Sequence, residues 1–348
     1  MSTFIQIKHQ QQQTTMKTIA ALITLTTATA SLGESNQPAI QDELNAHLKN
    51  NPSVKWQVED TWLNKFADYK LRDVQALMGT KIAPPSGKRI PNNWETSDAA
   101  ALPKSFDSRT TFGTCEQSIR DQMHCGSCWA FGAAETLSEN LCISGVLAPD
   151  AMISLSPQDM VSCDNTDYGC KGGELSNAWS YLTNTGIVTD DCLPYTAGIG
   201  QVDQCPANDK CSEDSMGGKW KKYKCDTTVN QLQDENDIKN GVMQYGTAET
   251  AFQVYEDFMH YKGGVYKHDA TSSSKVLGGH AVRIMGWGND EDAGEYWIVA
   301  NSWGSGWGEN GYFKIALDDT ASGFADGGAY NCGDLEKGYT VVRSPADM

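Results

Sequence analysis

Apolar positions recur at helical spacing between Asp42 and Met78: Leu44 and Leu48, then Trp62 and Phe66, then Val74, Leu77 and Met78. Pro84-Pro85-Ser86-Gly87-Lys88 stops this pattern, and residues 79–101 read as extended and linker-like. A second helical run covers 127–141, with Trp129, Phe131, Ala134, Leu137 and Leu141. A third covers 174–184, with Trp179 and Leu182. Residues 198–218 are rich in Gly, Asp and Ser and read as loop. From 261 onward the pattern changes. Gly264-Val265-Tyr266, Ala281-Val282-Arg283-Ile284, Tyr296-Trp297-Ile298-Val299 and Tyr312-Phe313-Lys314-Ile315 are alternating or β-branched runs separated by glycines, which predicts strands. The expected order is therefore an α-rich region followed by a β-rich one, with no repeat of fixed period.

The start of the chain has a different character. Residues 1–15 are polar and glutamine-rich. Lys17 then precedes a short apolar run, Ile19 to Thr29, and Ala28-Thr29-Ala30 has the small-x-small form of a cleavage site. Residues 1–30 thus read as an N-terminal extension plus secretory signal peptide, with Met1 and Met16 both open as the start. The run is too short to span a bilayer. No later segment approaches 18 apolar residues, so no membrane partner is expected.

Eleven cysteines sharpen this picture: 115, 125, 128, 142, 163, 170, 192, 205, 211, 225 and 332. None precedes residue 115, which separates a cysteine-free segment at 31–101 from a cysteine-rich body at 102–348. The first reads as a removable pro-segment. The density points to an oxidising compartment and a disulfide framework. An odd count leaves one thiol over: a dimer link, an inert buried thiol or a nucleophile. The 27 basic and 44 acidic residues give a formal net charge of −17, nearly all of it in the body. That balance argues against nucleic acid as a partner, since phosphate binding needs basic patches, and against an anionic membrane face.

Candidate chemistry centres on Arg120-Asp121-Gln122-Met123-His124-Cys125-Gly126-Ser127-Cys128-Trp129. Cys128 stands where a helical pattern begins, and a helix N-terminus favours the thiolate, which is the nucleophilic form. Gly278-Gly279-His280-Ala281 places a histidine at the start of a strand, available as a base. Asn301-Ser302-Trp303 follows the strand ending at Ala300. The Asn301 amide can accept from the imidazole N–H, and Trp303 can shield that bond from water. The other five histidines (His9, His47, His124, His260 and His268) receive no role.

Cys125 to Trp129, with His280 and Asn301 downstream in that order, resembles the signature of papain-like cysteine proteases. Leu102 to Arg109, Phe252 to Tyr266 and Gly279 to Gly288 resemble cathepsin B-like members, as does the short pro-segment Trp56 to Thr80. The likeness spans roughly residues 42–342. It implies an α+β, two-domain fold: a helical left domain over about 115–218, a β-barrel-like right domain over about 219–342, and a cleft between them. By the same resemblance Cys128 is the nucleophile, His280 the general base and then acid, and Asn301 its orienting group. Gln122 supplies the oxyanion-hole amide. Gly172, Gly173, Gly279 and Trp303 fall at substrate-binding positions. It also implies bridges Cys125–Cys170 and Cys115–Cys142, with Cys163–Cys205 and Cys192–Cys211 plausible. Cys225 and Cys332 are left to each other, and Cys128 is left free.

The implied activity is that of a cysteine endopeptidase made as a zymogen, acting without cofactor or metal on peptide and protein substrates. Its own pro-segment inhibits it, cystatin-type inhibitors are candidate partners, and a monomer in a lysosome-like, food-vacuole-like or extracellular setting is expected. Three departures bear on that reading. Met123 stands directly after Gln122, where the family usually has Gly, and costs stability if the position needs φ > 0. Residues 192–225 contain no histidine, whereas cathepsin B carries a histidine pair in an occluding loop. The floor of the main specificity pocket falls on Lys337, or on Glu336 with a one-residue slip. Two rival readings remain: a thiol–disulfide oxidoreductase built on Cys125-Gly126-Ser127-Cys128, and an inactive papain-like binding protein.

Overall fold

The structure, a computed structural model, describes residues 35–82, 102–145, 152–207, 210–212, 219–225, 229–332 and 341–343. The signal-peptide reading at 1–30, the linker at 83–101 and the pocket-floor positions Glu336 and Lys337 lie outside the described residues.

Helix α3 (Cys128–Ile143) is the axis of the first half. All but its last residue are buried, and Ala130, Gly132, Ala133 and Ala134 let neighbours approach closely. Helices α4 (Pro157–Cys163) and α5 (Leu175–Asn184) pack against it. The start of α4 is set locally: the Ser156 hydroxyl accepts from Asp159 N, and Pro157 sits in the first turn, where its missing N–H costs nothing. Trp129, Leu137, Leu141, Met160, Trp179 and Leu182 form this half's core.

The second half is a sheet of mostly antiparallel strands: β3 (Val229–Leu232), β4 (Ala248–Tyr255), β6 (Val265–Tyr266), β7 (Val276–Asp290), β8 (Gly294–Ala300), β9 (Tyr312–Ala316) and β10 (Ala329–Cys332). They lie in the order β3-β10-β4-β7-β8-β9-β6, and β2 (Phe106–Asp107) pairs with β7. Only the β9–β6 pairing is parallel. The strands expected beyond 261 all lie within these elements. The sheet core is aromatic, with Phe252, Phe258, Trp287, Trp303, Trp307 and Phe313 buried together. Five disulfides close the framework: Cys115–Cys142, Cys125–Cys170, Cys163–Cys205, Cys192–Cys211 and Cys225–Cys332. Cys128 is the free cysteine. Across the two halves, Arg283 of β7 pairs with Glu139 of α3 and lies 3.3 Å from Glu135, all three buried.

The segment before residue 83 differs from the continuous helical spacing of its sequence. It holds α1 (Asp42–Asn50) and α2 (Leu71–Gln75), separated by turns and by β1 (Gln57–Val58), which pairs with β5 (Tyr261–Gly263). Pro52 cannot continue α1, and Trp56 instead inserts beside Tyr261 and Tyr266 at ring distances of 6.2 and 5.4 Å. The helical phase is therefore lost, and Trp62 ends up 75% exposed. Leu44, Leu48, Phe66, Val74 and Leu77 are nevertheless buried, and they belong to the sheet's own core cluster. Phe66 meets Trp303 edge-on at 5.4 Å. Removing that ring costs about 3 kcal/mol or more of packing. Phe66→Ala in the isolated pro-segment should thus weaken inhibition of the processed protein more than about a hundredfold, read as the inhibition constant; a change under threefold would contradict the shared core.

Candidate active site

Cys128 opens α3 and is fully buried, but it is not alone. The pro-segment crosses directly above it. Thr80 Oγ1 lies 3.1 Å from Cys128 Sγ. On one side of the cleft, Gly173 N donates to Gly79 O at 2.8 Å and Gly173 O accepts from Lys81 N at 3.0 Å. On the other, Gly279 O accepts from Thr80 N at 3.0 Å. A peptide backbone is thus paired to both walls at once. The glycines make this possible by close approach. A Cβ on Gly126 would fall 3.2 Å from Gly79 Cα, one on Gly172 would fall 2.5 Å from Gly79 O, and one on Gly279 would fall 2.1 Å from Thr80 O. Ile82 lines a small pocket together with Leu175, Ala251, Gly328 and Tyr330.

His280, on β7, is buried, and its Nε2 lies 2.8 Å from Asn301 Oδ1. Because an amide oxygen can only accept, Nε2 carries the proton and Nδ1 is left as the basic nitrogen. Nδ1 has no hydrogen-bond partner among the described residues. Trp303 stacks on the ring at 4.7 Å and is 1% exposed, so it covers the His280–Asn301 bond; Trp307 is a core aromatic at 2%. The backbone of Ala281, next to His280, bonds the Cys128 sulfur. Gln122 is fully buried. Its Nε2 donates to Leu77 O at 2.9 Å and Cys125 O at 2.8 Å, while its Oε1 accepts from Ser302 at 2.8 Å. The structure therefore brings Cys128, His280, Asn301, Gln122, Gly172, Gly173, Gly279 and Trp303 to one cleft.

Two expectations meet corrections or consequences here. A helix N-terminus favours thiolate, yet the Cys128 thiol is pushed up: burial outweighs the hydrogen bonds from Ala281, Thr80, Gly79 and Trp129 that lower it. Burial also takes His280 down to about 4, opposed by its bond to Asn301. Under the pro-segment both groups are held neutral. Met123 has φ +54°, the left-handed region in which a side chain costs about 1–2 kcal/mol. Its amide is tied to Asp121 Oδ1 at 2.9 Å and its sulfur packs on Gly198.

Three histidines given no role sit at the seam between pro-segment and body, His47 on the pro-segment side and His260 and His124 on the body side. His47 Nε2 bonds Asp269 at 2.9 Å, His260 Nδ1 bonds Asn45 at 3.0 Å, and the His124 ring stacks on Tyr69 at 5.3 Å. No local pattern in the sequence marks them, because each meets a partner more than fifty residues away.

Fold and cleft together define a two-domain thiol hydrolase shape closed by a segment of its own chain. Residues 102–332 match the family model described as papain family cysteine protease. The chain belongs to the papain family of cysteine proteases. It is 41% identical over 221 residues to the cathepsin B-like CP3 of Giardia intestinalis, covering 63% of this chain and 71% of that protein. It is 34% identical over 328 residues to the cathepsin B-like cysteine proteinase 4 of Caenorhabditis elegans, covering 84% and 92%. Among solved structures it resembles proCathepsin B S9 from Trypanosoma congolense, with TM-score 0.72, 26% identity, and 85% and 98% of the two chains covered.

Burial holds His260 down to about 4 in this state, below the ordinary value of about 6.5. Between those values the closed form binds fewer protons than the open one, so its stability falls as pH drops from about 6.5 toward 4. Pro-segment inhibition should weaken over that window, and His260→Gln, which preserves a neutral partner for Asn45, should flatten the slope by up to one proton. An unchanged slope of inhibition constant against pH would remove His260 from this linkage.

Proposed function

We infer that the protein is a cysteine endopeptidase made as a zymogen, working through Cys128, His280, Asn301 and Gln122. The observation that carries this reading is the path of the pro-segment. A backbone pairs with Gly173 and Gly279, puts a carbonyl on the Gln122 amide and lays a hydroxyl, not a carbonyl carbon, against the Cys128 sulfur. The cleft thus binds extended peptide while offering the thiol nothing to cleave.

Removal of the pro-segment restores solvent to the pair, and the burial that holds it neutral is lifted. The Cys128 proton passes to His280 Nδ1, giving thiolate and imidazolium. The thiolate attacks the substrate carbonyl carbon, and the oxyanion is held by Gln122 Nε2 and the Cys128 backbone N–H. His280 gives its proton to the leaving amine, the C–N bond breaks and an acyl-enzyme remains. His280 next takes a proton from water, whose oxygen attacks the thioester and releases the acid. Asn301 fixes the ring in the tautomer that leaves Nδ1 free, by the same logic as a triad's third member.

Secretion through residues 1–30, cutting near residue 100 and an acidic or extracellular setting fit the cysteine framework and the acid-weakened closure. Among the described residues no helix is long and apolar enough to cross a membrane. A cystatin-type inhibitor would enter the cleft the pro-segment vacates. With no histidine in residues 192–225 to bind a substrate's terminal carboxylate, cleavage within chains is the expected mode. Blocked and free C-terminal peptides should be cut at comparable rates; release dominated by C-terminal dipeptides would refute this.

The reading is tested by an epoxide inhibitor of cysteine proteases at pH about 5 and 7, followed by mass spectrometry. Processed protein should gain one adduct on Cys128, and Cys128→Ala none. The absence of labelling in processed wild type would end the enzyme reading in favour of a binding protein.

A further inference from the structure

We propose that His124, with Met123 beside it, is a specificity-determining residue that selects an aromatic side chain on the leaving-group side of the scissile bond. This rests on the protease reading above. The pro-segment is the guide. Its residues 79–82 lie along Gly173 and the Ile82 pocket, which places the acyl side there. Going back along the chain, Leu77 reaches Gln122, Phe66 reaches Trp303 and Tyr69 reaches His124. Tyr69, just ahead of α2, thus covers the far rim of the cleft at His124. Its ring lies nearly parallel to the imidazole, 19° between planes and 5.3 Å between centroids.

The mount for His124 is rigid although its side chain is exposed. His124 N donates to Gly198 O at 2.9 Å, and Cys125 is bridged to Cys170. Met123 turns through positive φ, so its side chain stands 49% exposed on the same rim, its sulfur against Gly198. A thioether next to an imidazole offers an aromatic ring two favourable faces. Asp121 adds a sign preference. In the zymogen it pairs with Lys65 at 2.5 Å, and burial first, then the Asp121 charge, raises the Tyr69 hydroxyl's pKa. Once the pro-segment leaves, Asp121 faces the same side and disfavours an acidic residue there.

The test uses processed enzyme and internally quenched peptides with a fixed acyl side. The first and second residues after the scissile bond are each varied among Phe, Tyr, Ala and Asp. At one of the two positions Phe or Tyr should raise kcat/KM over Ala by about 2- to 12-fold, the range of one aromatic pair, and Asp should fall below Ala. His124→Ala should bring the Phe-to-Ala ratio close to one, and His124→Phe, which restores a ring, should recover it. Equal rates for Phe and Ala at both positions, or a ratio that survives His124→Ala, would overturn the inference. Epoxide labelling of Cys128 in the same sample separates the two levels: a labelled enzyme that does not discriminate overturns this inference alone, and an unlabelled one overturns the reading beneath it.

Discussion

The structure depends on one close approach: a peptide backbone passing between two glycine-lined walls, over a cysteine at the first turn of a buried helix. Gly126 and Gly172 on one wall and Gly279 on the other leave no room for side chains where Gly79 and Thr80 pass. Backbone hydrogen bonds to both walls then fix Thr80 above the sulfur within hydrogen-bond distance. From this follow the exclusion of water from the cleft, the neutral state of Cys128 and His280, and the occupation of the Gln122 amide. The pro-segment is held there by apolar burial. Leu44, Leu48, Trp56, Phe66 and Leu77 complete the aromatic core of the sheet and do not merely cover it.

The two walls belong to different halves of the molecule, so the cleft is only as exact as the joint between them. A buried Arg283 reaches from the sheet to Glu135 and Glu139 on the helix that carries Cys128. Two carboxylates share one guanidinium, and burial pushes Glu135 up against the pull of Arg283. Such a group is worth little as net stability but is costly to break, since it would strand a charge. It ties the helix that carries Cys128 to the strand that carries His280. Gln122 makes a similar tie through Ser302, joining its amide to the residue after Asn301.

Much of this is legible in the sequence because it depends on local spacing. Cys128 opens a clear helical run; the sequence pattern places His280 at a strand start, but it lies inside β7, which already begins at Val276 and runs through Gly278 and Gly279. The pro-segment was harder to read. Its apolar residues keep roughly helical intervals, but Trp56 and Phe66 answer to aromatic partners some two hundred residues away, and Pro52 breaks the phase. The state of the thiol was also not legible. A helix N-terminus predicts a lowered pKa, but burial under another segment of the chain reverses it. His124 and His260 acquire their surroundings only through tertiary contact, so no motif announces them.

The central claim is that the pro-segment, by burying Cys128 and His280, keeps them neutral until it leaves. Thiolate absorbance in the ultraviolet, followed across pH for zymogen and processed protein with Cys128→Ala as the blank, measures this directly. The account predicts no Cys128 thiolate in the zymogen near neutral pH and a clear one in the processed form, lost again in acid as the pair protonates. A thiolate of equal size in both forms would contradict it.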